Sequence, residues 1–412
     1  MTAAQAPLTG YRVLDFTWVW SGPMMTAILA EFGAEVIKIE HGKRLDNSRL
    51  RGRPIVNGAP LDGPSIELNP YFHQTNHGKL SITLNLKDRR AIDLVYELAR
   101  KSHIVVENLS VGALKRVGLG YEDFAAINPR IIYLSMSAAG QTGPLRDMRA
   151  YAPIMSSYTG LEALVGYPGE APTGMLNFGY GDPNAGVHAL VALLGAIWHE
   201  QRTGEGQYID MSQMEALLSV MAEPLIDQLW NGRKAAPRGN AHPRYAPHGI
   251  YPAKGNDQWV AIAVTDNEQW QSLRTLMGNP AWAAEPAFDS AKGRVERRQD
   301  LDHRLALWTV EQPRDVLVER LQKVGVAAAP VLGIEEQWEH PHLVSRGLRH
   351  EVIHPHFGRE WLYAAPWRMS DTPPQIKSSA PILGEHNHYV FCDLLGLAPS
   401  EVEKLADEGV IS

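Results

Sequence analysis

The residue with the most reactive setting is Asp182, in the stretch Gly179-Tyr-Gly-Asp-Pro-Asn-Ala-Gly186. The Asp-Pro pair stands where an apolar periodicity begins, with Val187, Leu190, Val191, Leu194 and Ile197 at helical spacing. Asp is a favoured N-cap and Pro a favoured first-turn residue, so local pattern alone favours a capping role. The same geometry permits chemistry. Backbone amides and the helix dipole keep a carboxylate ionised and can stabilise an oxyanion beside it. A carboxylate so placed can attack an acyl carbon and form a covalent intermediate.

Other constellations carry less. Lys87, Arg116 and Arg149 lie at strand or helix edges, where a lone cation is usually solvated. As a group they could clasp phosphates. Among the 16 histidines, His354 with His356 and His386 with His388 are the nearest sets, and neither has a third ligand at metal spacing, so no metal site is expected. A Ser-His-Asp hydrolase is disfavoured because there is no G-x-S-x-G turn and Ser135 continues a strand. The glycines form no G-x-G-x-x-G, which disfavours a nicotinamide enzyme. Trp18 and Trp20 follow the first strand, where open α/β sheets bind ligands, whereas Trp259 and Trp270 fit core positions.

The elements that must position these residues alternate between strand and helix. Arg12–Thr17, Ala34–Ile39, Ser81–Leu86, Ile104–Asn108 and Ile131–Met136 read as strands, with helices opening at Gly22-Pro23 and over 87–101. This predicts a doubly wound α/β domain. A helix over about 183–201 ends at Thr203-Gly-Glu-Gly206, and a connecting helix follows. The expected division is a large Rossmann-like domain over 1–210, the connecting helix over 211–232, a smaller α+β domain over 233–335, and a return of 336–412 to the large domain.

With 412 residues, 44% hydrophobic and 21% charged, the chain can bury one large core and one smaller. A net charge of −7 argues against general nucleic-acid binding. The single cysteine, Cys392, excludes an intramolecular disulfide. No signal-peptide pattern or bilayer-length apolar run is present, so a cytoplasmic protein without a membrane partner is expected.

Taken in order, the segments resemble the class III CoA-transferases, the family of formyl-CoA, carnitine, bile-acid and benzylsuccinate CoA-transferases. The matching segments include Leu14-Asp-Phe-Thr17 with Gly22-Pro23, Gly33-Ala-Glu-Val-Ile-Lys-Ile-Glu40, Asn76-His-Gly-Lys79, Val106-Glu-Asn108, Gly112-Ala-Leu114, Asn128-Pro-Arg-Ile131, Gly181-Asp182, Arg202-Thr-Gly-Glu-Gly-Gln207 and Leu383-Gly-Glu-His386.

The resemblance implies that Asp182 is the catalytic aspartate. It would pass CoA from an acyl-CoA to a carboxylic acid through an aspartyl mixed anhydride and an aspartyl-CoA thioester, with no permanently bound cofactor and no metal. It implies further that Lys87, Asn108, Arg116, Arg149 and Tyr151 hold CoA phosphates, pantetheine or the site wall, and that Val19, Leu84, Leu109 and Ala113 are apolar CoA contacts. An interlocked homodimer is implied, each subunit a ring threaded by the other. Some family members instead pair an active chain with a related one lacking the aspartate.

Trp20 stands where formyl-CoA transferase has Gln, His41 where it has a basic residue, and Ala152 where it has a carboxylate. Its glycine-rich flap has no equivalent in Ala241–Gly249, which contains His248. A bulkier, less polar acid pocket with Trp20 and His248 at its wall is therefore expected. The acceptor would then be a substituted succinate or another aryl or alkyl acid, with succinyl-CoA as donor, rather than formate or oxalate. The rival activities are an α-methylacyl-CoA racemase, disfavoured because Arg149–Pro153 lacks the second acid/base histidine, and an intramolecular CoA-transferase. The rival outside catalysis is a CoA-binding regulatory subunit.

Overall fold

The computed structural model describes residues 5–174 and 179–412. Its centre is a six-stranded sheet of β1 (Arg12–Asp15), β2 (Glu35–Glu40), β5 (Leu80–Thr83), β6 (Ile104–Glu107), β7 (Ile132–Ser137) and β8 (Tyr208–Ser212). A separate small hairpin, β3 (Ile55–Val56) and β4 (Ala59–Pro60), interrupts the series. Every pairing in the six-stranded sheet is parallel. The order is β5-β2-β1-β6-β7-β8, and counted along the chain this is the doubly wound Rossmann order, which reverses between β1 and β6.

Parallel strands are covered on both faces and so read as continuous apolar runs. In β1, Val13 joins one core with Val36, Ile104 and Ile132, against helices α1 (Ser21–Glu31) and α6 (Gly181–Thr203). Leu14, one residue on, points to the other face. There it joins Ile37, Ile82 and Val105 against α3 (Arg89–Arg100). The chain end closes that second core through Val390, Phe391, Val410 and Ile411. Further helices before the second unit are α2 (Pro70–Asn76), α4 (Tyr121–Ile127), α5 (Ala152–Tyr158), α7 (Gln213–Ser219) and α8 (Ala222–Asn231), and a last helix spans Pro399–Asp407. Residues 211–232 thus hold two helices with a break at Val220–Met221, where the sequence pattern predicts one.

Two compact units emerge. Among the described residues the first comprises 5–162, 179–234 and 345–412, and the second 163–174 and 235–344. The second unit carries an antiparallel sheet of β9 (His248–Pro252), β10 (Trp259–Ala263) and β11 (Ala327–Pro330) in the order β11-β10-β9. Its core includes Trp270, fully buried as the sequence predicts, whereas Trp259 is 40% exposed and is not a core residue. No helix among the described residues is long and apolar enough to cross a membrane.

Candidate active site

The site lies where the strand order reverses, at the carboxyl ends of β1 and β6, the position at which open α/β sheets receive ligands. The loop after β1, Thr17-Trp-Val-Trp20, is held on several sides. The Asn108 side chain, just beyond β6, accepts from Trp18 N and donates to Trp18 O, both at 2.8 Å. Lys38 Nζ donates to Thr17 O at 2.6 Å, and Asp46 accepts from Val19 N at 3.1 Å. Val19 has φ +68°, a left-handed conformation that a β-branched residue adopts only under constraint. Those contacts supply the constraint, so the loop has one shape.

Charge buried under the loop reinforces it. Lys79 Nζ and Asp15 Oδ2 lie 3.0 Å apart with both side chains fully buried. Burial pushes the Asp15 carboxyl up, but Lys79, Lys38 and hydrogen bonds from Thr17 and Thr26 prevail and hold it at about 2.

Asp182 does not cap its own helix. The N-cap of α6 is Tyr180, which makes no side-chain cap, so Asp182 lies within the first turn. Its carboxylate accepts hydrogen bonds from the hydroxyl and backbone N–H of Ser21 instead. Ser21 is the first residue of α1, so the carboxylate meets the positive end of a neighbouring helix. Gly186, one turn after Asp182 and on the same face of α6, makes this approach possible. A Cβ there would lie 2.9 Å from Ser21 O, so only glycine lets α6 approach α1 this closely. Asn108 Nδ2 also reaches Ser21 Oγ at 3.3 Å, linking the loop clamp to the carboxylate.

Burial pushes the Asp182 carboxyl up to about 6, and the Ser21 hydrogen bonds and the Arg51 charge limit the rise. It is therefore mostly ionised at neutral pH, yet poorly solvated. Arg51 lies 3.9 Å over the Tyr71 ring, and Tyr71 meets Trp20 edge-on with centroids 5.6 Å apart. Gly179 adjoins both groups, since a Cβ on it would lie 3.2 Å from the Trp20 ring and 3.5 Å from Asp182 Oδ2.

Two cavities meet here. One of about 570 Å³ is lined by Asp182 and Ser21 together with Val19, Asn108, Leu109, Arg116, Arg149 and Tyr151. The other, about 1140 Å³, is lined by Leu84, Lys87, Leu109 and Ala113, with His41, Lys43 and Arg44 also on its wall. Both include Trp18, Leu109 and Ser110. The fold thus gathers Asp182 and all nine residues expected to contact CoA around two adjoining spaces. Asn108 is there, but its side chain is spent on the loop. Of the two expected acid-pocket residues, Trp20 lies beside Gly179, near Asp182. His248 belongs to the second unit, on β9, where its Nδ1 contacts Asn240 O at 2.7 Å and it lines a cavity of about 560 Å³.

Sequence reasoning misses Ser21, Arg51 and Tyr71. Ser21 was within reach, because Gly22-Pro23 marks a helix start whose unpaired N–H groups must point at an acceptor. Nothing in spacing identifies Arg51 or Tyr71.

A doubly wound sheet with a poorly solvated carboxylate at its switch point, beside a cavity with Lys43, Arg44 and Lys87 on its wall, gives an α/β protein with a place for a ligand at that point. More specifically, the chain belongs to CoA-transferase family III, whose description it matches over residues 8–387. It is 32% identical over 98% of both chains to a succinyl-CoA–D-citramalate CoA-transferase of Chloroflexus aurantiacus. It is also 32% identical to a succinate–glutarate CoA-transferase of Agrobacterium fabrum, covering 96% of this chain and 97% of the relative. A crystal structure of a CAIB/BAIF family protein from Brucella suis superposes with a TM-score of 0.84 at 30% identity, covering 95% of this chain and 100% of that one. The protein is an enzyme, a CoA-transferase.

Proposed function

We propose that Asp182 is the covalent carrier of this enzyme, moving CoA from succinyl-CoA to a substituted succinate or similar carboxylic acid. The observation that carries this is the Asp182 carboxylate, half-buried on the wall of a cavity and held by Ser21 at the start of α1. An Asp182 oxygen attacks the thioester carbon, the C–S bond breaks, and a mixed anhydride and CoA thiolate result. The thiolate attacks the aspartyl carbon and expels the donor acid, leaving aspartyl-CoA. The acceptor carboxylate then attacks the same aspartyl carbon, the thiolate leaves, and it returns to the acceptor's acyl carbon, freeing Asp182. Each addition at the aspartyl carbon places an oxyanion beside the Ser21 N–H and the α1 N-terminus, which favour developing negative charge.

Lys87, Arg116 and Arg149 are assigned to CoA phosphates and the site wall, with Val19, Leu84, Leu109, Ala113 and Tyr151 as further contacts. Asn108 is assigned to hold the loop that shapes the site. Trp20 is assigned to the acid pocket on its closeness to Gly179 and Asp182. The choice of donor and acceptor is supported by the acids named in the two relatives, both with a succinyl group as one partner. An interlocked homodimer is supported by an exposed apolar stripe on α6 formed by Val187, Val191, Leu194 and Trp198.

The test is to incubate the enzyme with succinyl-CoA, quench with hydroxylamine, and locate the adduct by peptide mass spectrometry. A hydroxamate at Asp182 is expected. An unmodified Asp182 peptide with every acyl-CoA tried, or solvent deuterium entering the α-position of a 2-methylacyl-CoA without an acceptor acid, refutes the assignment.

A further inference from the structure

Arg51 is exposed, and no carboxylate among the described residues pairs with it. An exposed arginine is ordinarily solvated and idle, but this one is held. Two residues earlier Arg49 is buried between Glu40 and Glu67, and Asp46 is fixed by Lys38 at 3.2 Å and by the N–H groups of Ser48 and Val19. This anchored segment delivers the Arg51 guanidinium to the Tyr71 ring, 3.9 Å from its centroid. Tyr71 is itself set at the start of α2, where Asn69 Oδ1 accepts from its N–H at 3.0 Å, and its ring meets Trp20 edge-on.

A stacked guanidinium spends its face on the ring and keeps its N–H donors, which lie in its plane, free at the edge. That fork matches a carboxylate through two parallel hydrogen bonds. The charge is also felt at the reacting group. Burial raises the Asp182 carboxyl, and the Ser21 hydrogen bonds and the Arg51 charge draw it down. Burial likewise raises the Tyr71 phenol, Arg51 opposes the rise and Asp182 adds to it, so Tyr71 lies within electrostatic reach of both. Arg51 stands on the Tyr71 and Trp20 side of Asp182, off the cavity wall that carries Lys43, Arg44 and Lys87. A negative group at the far end of an acid joined to Asp182 has this cation to meet.

We propose that Arg51 selects the acids of this enzyme by the charge at their far end, pairing with the second carboxylate of donor and acceptor in turn. This rests on the reading of Asp182 as covalent carrier. Each acid then passes through an anhydride with that one carboxyl, so both far ends fall in the same place and one cation serves both.

The experiment measures kcat/KM for glutarate against glutaramate, its half-amide of nearly the same shape, and for isotopically labelled succinate against succinamate, with succinyl-CoA as donor. Wild-type enzyme is expected to favour the dicarboxylate in at least one pair by roughly tenfold or more, as a hydrogen bond between charged groups predicts. Arg51→Met should bring that ratio towards one, Arg51→Lys should keep part of it, and Arg51→Glu should abolish or reverse it. On the donor side, the preference for succinyl-CoA over butyryl-CoA should follow the same order. The side chain is exposed, so its replacement should leave the fold intact. A ratio taken within one variant also cancels any general loss of activity, including one that comes from a shifted Asp182.

A wild-type ratio near one, or a ratio that Arg51→Met and Arg51→Glu leave unchanged, overturns the proposal. So does a rise in the KM for acyl-CoA that is the same for every acyl group, since Arg51 would then serve CoA itself. Hydroxylamine labelling of wild-type Asp182 separates the two levels. Labelling with no dependence of transfer on the far-end charge sinks the role of Arg51 alone. No labelling with any acyl-CoA tried sinks the Asp182 reading and the role of Arg51 with it.

Discussion

Replacing Asp182 with Asn should make the protein more stable while abolishing transfer. The carboxyl titrates at about 6 in the fold against its ordinary 3.8. A folded-state value above the unfolded one means that folding favours the protonated form. Stability is therefore lost as the pH rises from 3.8 through about 6, and the loss is complete above that. The shift corresponds to about 3 kcal/mol at neutral pH, an order of magnitude for a largely buried group. Asn keeps the shape and an oxygen to accept from Ser21, but carries no charge to desolvate. Asp182→Asn should thus gain up to about 3 kcal/mol at neutral pH.

The assay is urea denaturation followed by tryptophan fluorescence at a series of pH values, with succinyl-CoA transfer measured alongside. The gain should shrink as the pH falls through about 6 and vanish below about 4. A variant no more stable than wild type at neutral pH, or a gain independent of pH, would refute the claim that the fold holds this carboxylate in poor solvation. Retained turnover would place the nucleophile elsewhere.

Ser21→Ala removes one of the hydrogen bonds that hold the Asp182 carboxyl down. A hydrogen bond to a charged group contributes about 1.5–3 kcal/mol, or roughly one to two pH units. The acidic limb of the kcat/KM profile for acyl-CoA should move upward from about 6 by that amount, and an unmoved limb would exclude Ser21 as a positioning residue. Lys87→Ala and Arg116→Ala should each raise the KM for acyl-CoA about tenfold with kcat little changed, more so at low salt, if they meet phosphates. Steady-state kinetics at two ionic strengths checks this, and a fall in kcat at unchanged KM would assign them another role.

Much of the large unit was legible in the chain. Strands buried on both faces carry adjacent apolar residues, and helices buried on one face repeat every three or four residues, so β1, β2, β6, β7 and α6 announce themselves in residue order, even with Asp15 and Lys38 among the buried strand positions. Residues 211–232 were less legible. Continuous helical periodicity masks the break at Val220–Met221, because periodicity reports which face is apolar and not whether the backbone continues.

For the site, the sequence by itself determined that an Asp-Pro pair opens a long helix and that Gly186 lies one turn further on. It also determined the ordered segments that resemble CoA-transferases. It could not determine which helix the carboxylate faces. Local pattern pointed to its own, since capping is a contact between near neighbours. Tertiary structure decided for α1, because the missing side chain at Gly186 lets α6 approach Ser21, more than a hundred and fifty residues earlier in the chain. The same packing buries the carboxylate and raises its pKa to about 6, which no local spacing encodes. Burial is a sum over neighbours brought from distant segments, and only the folded chain performs that sum.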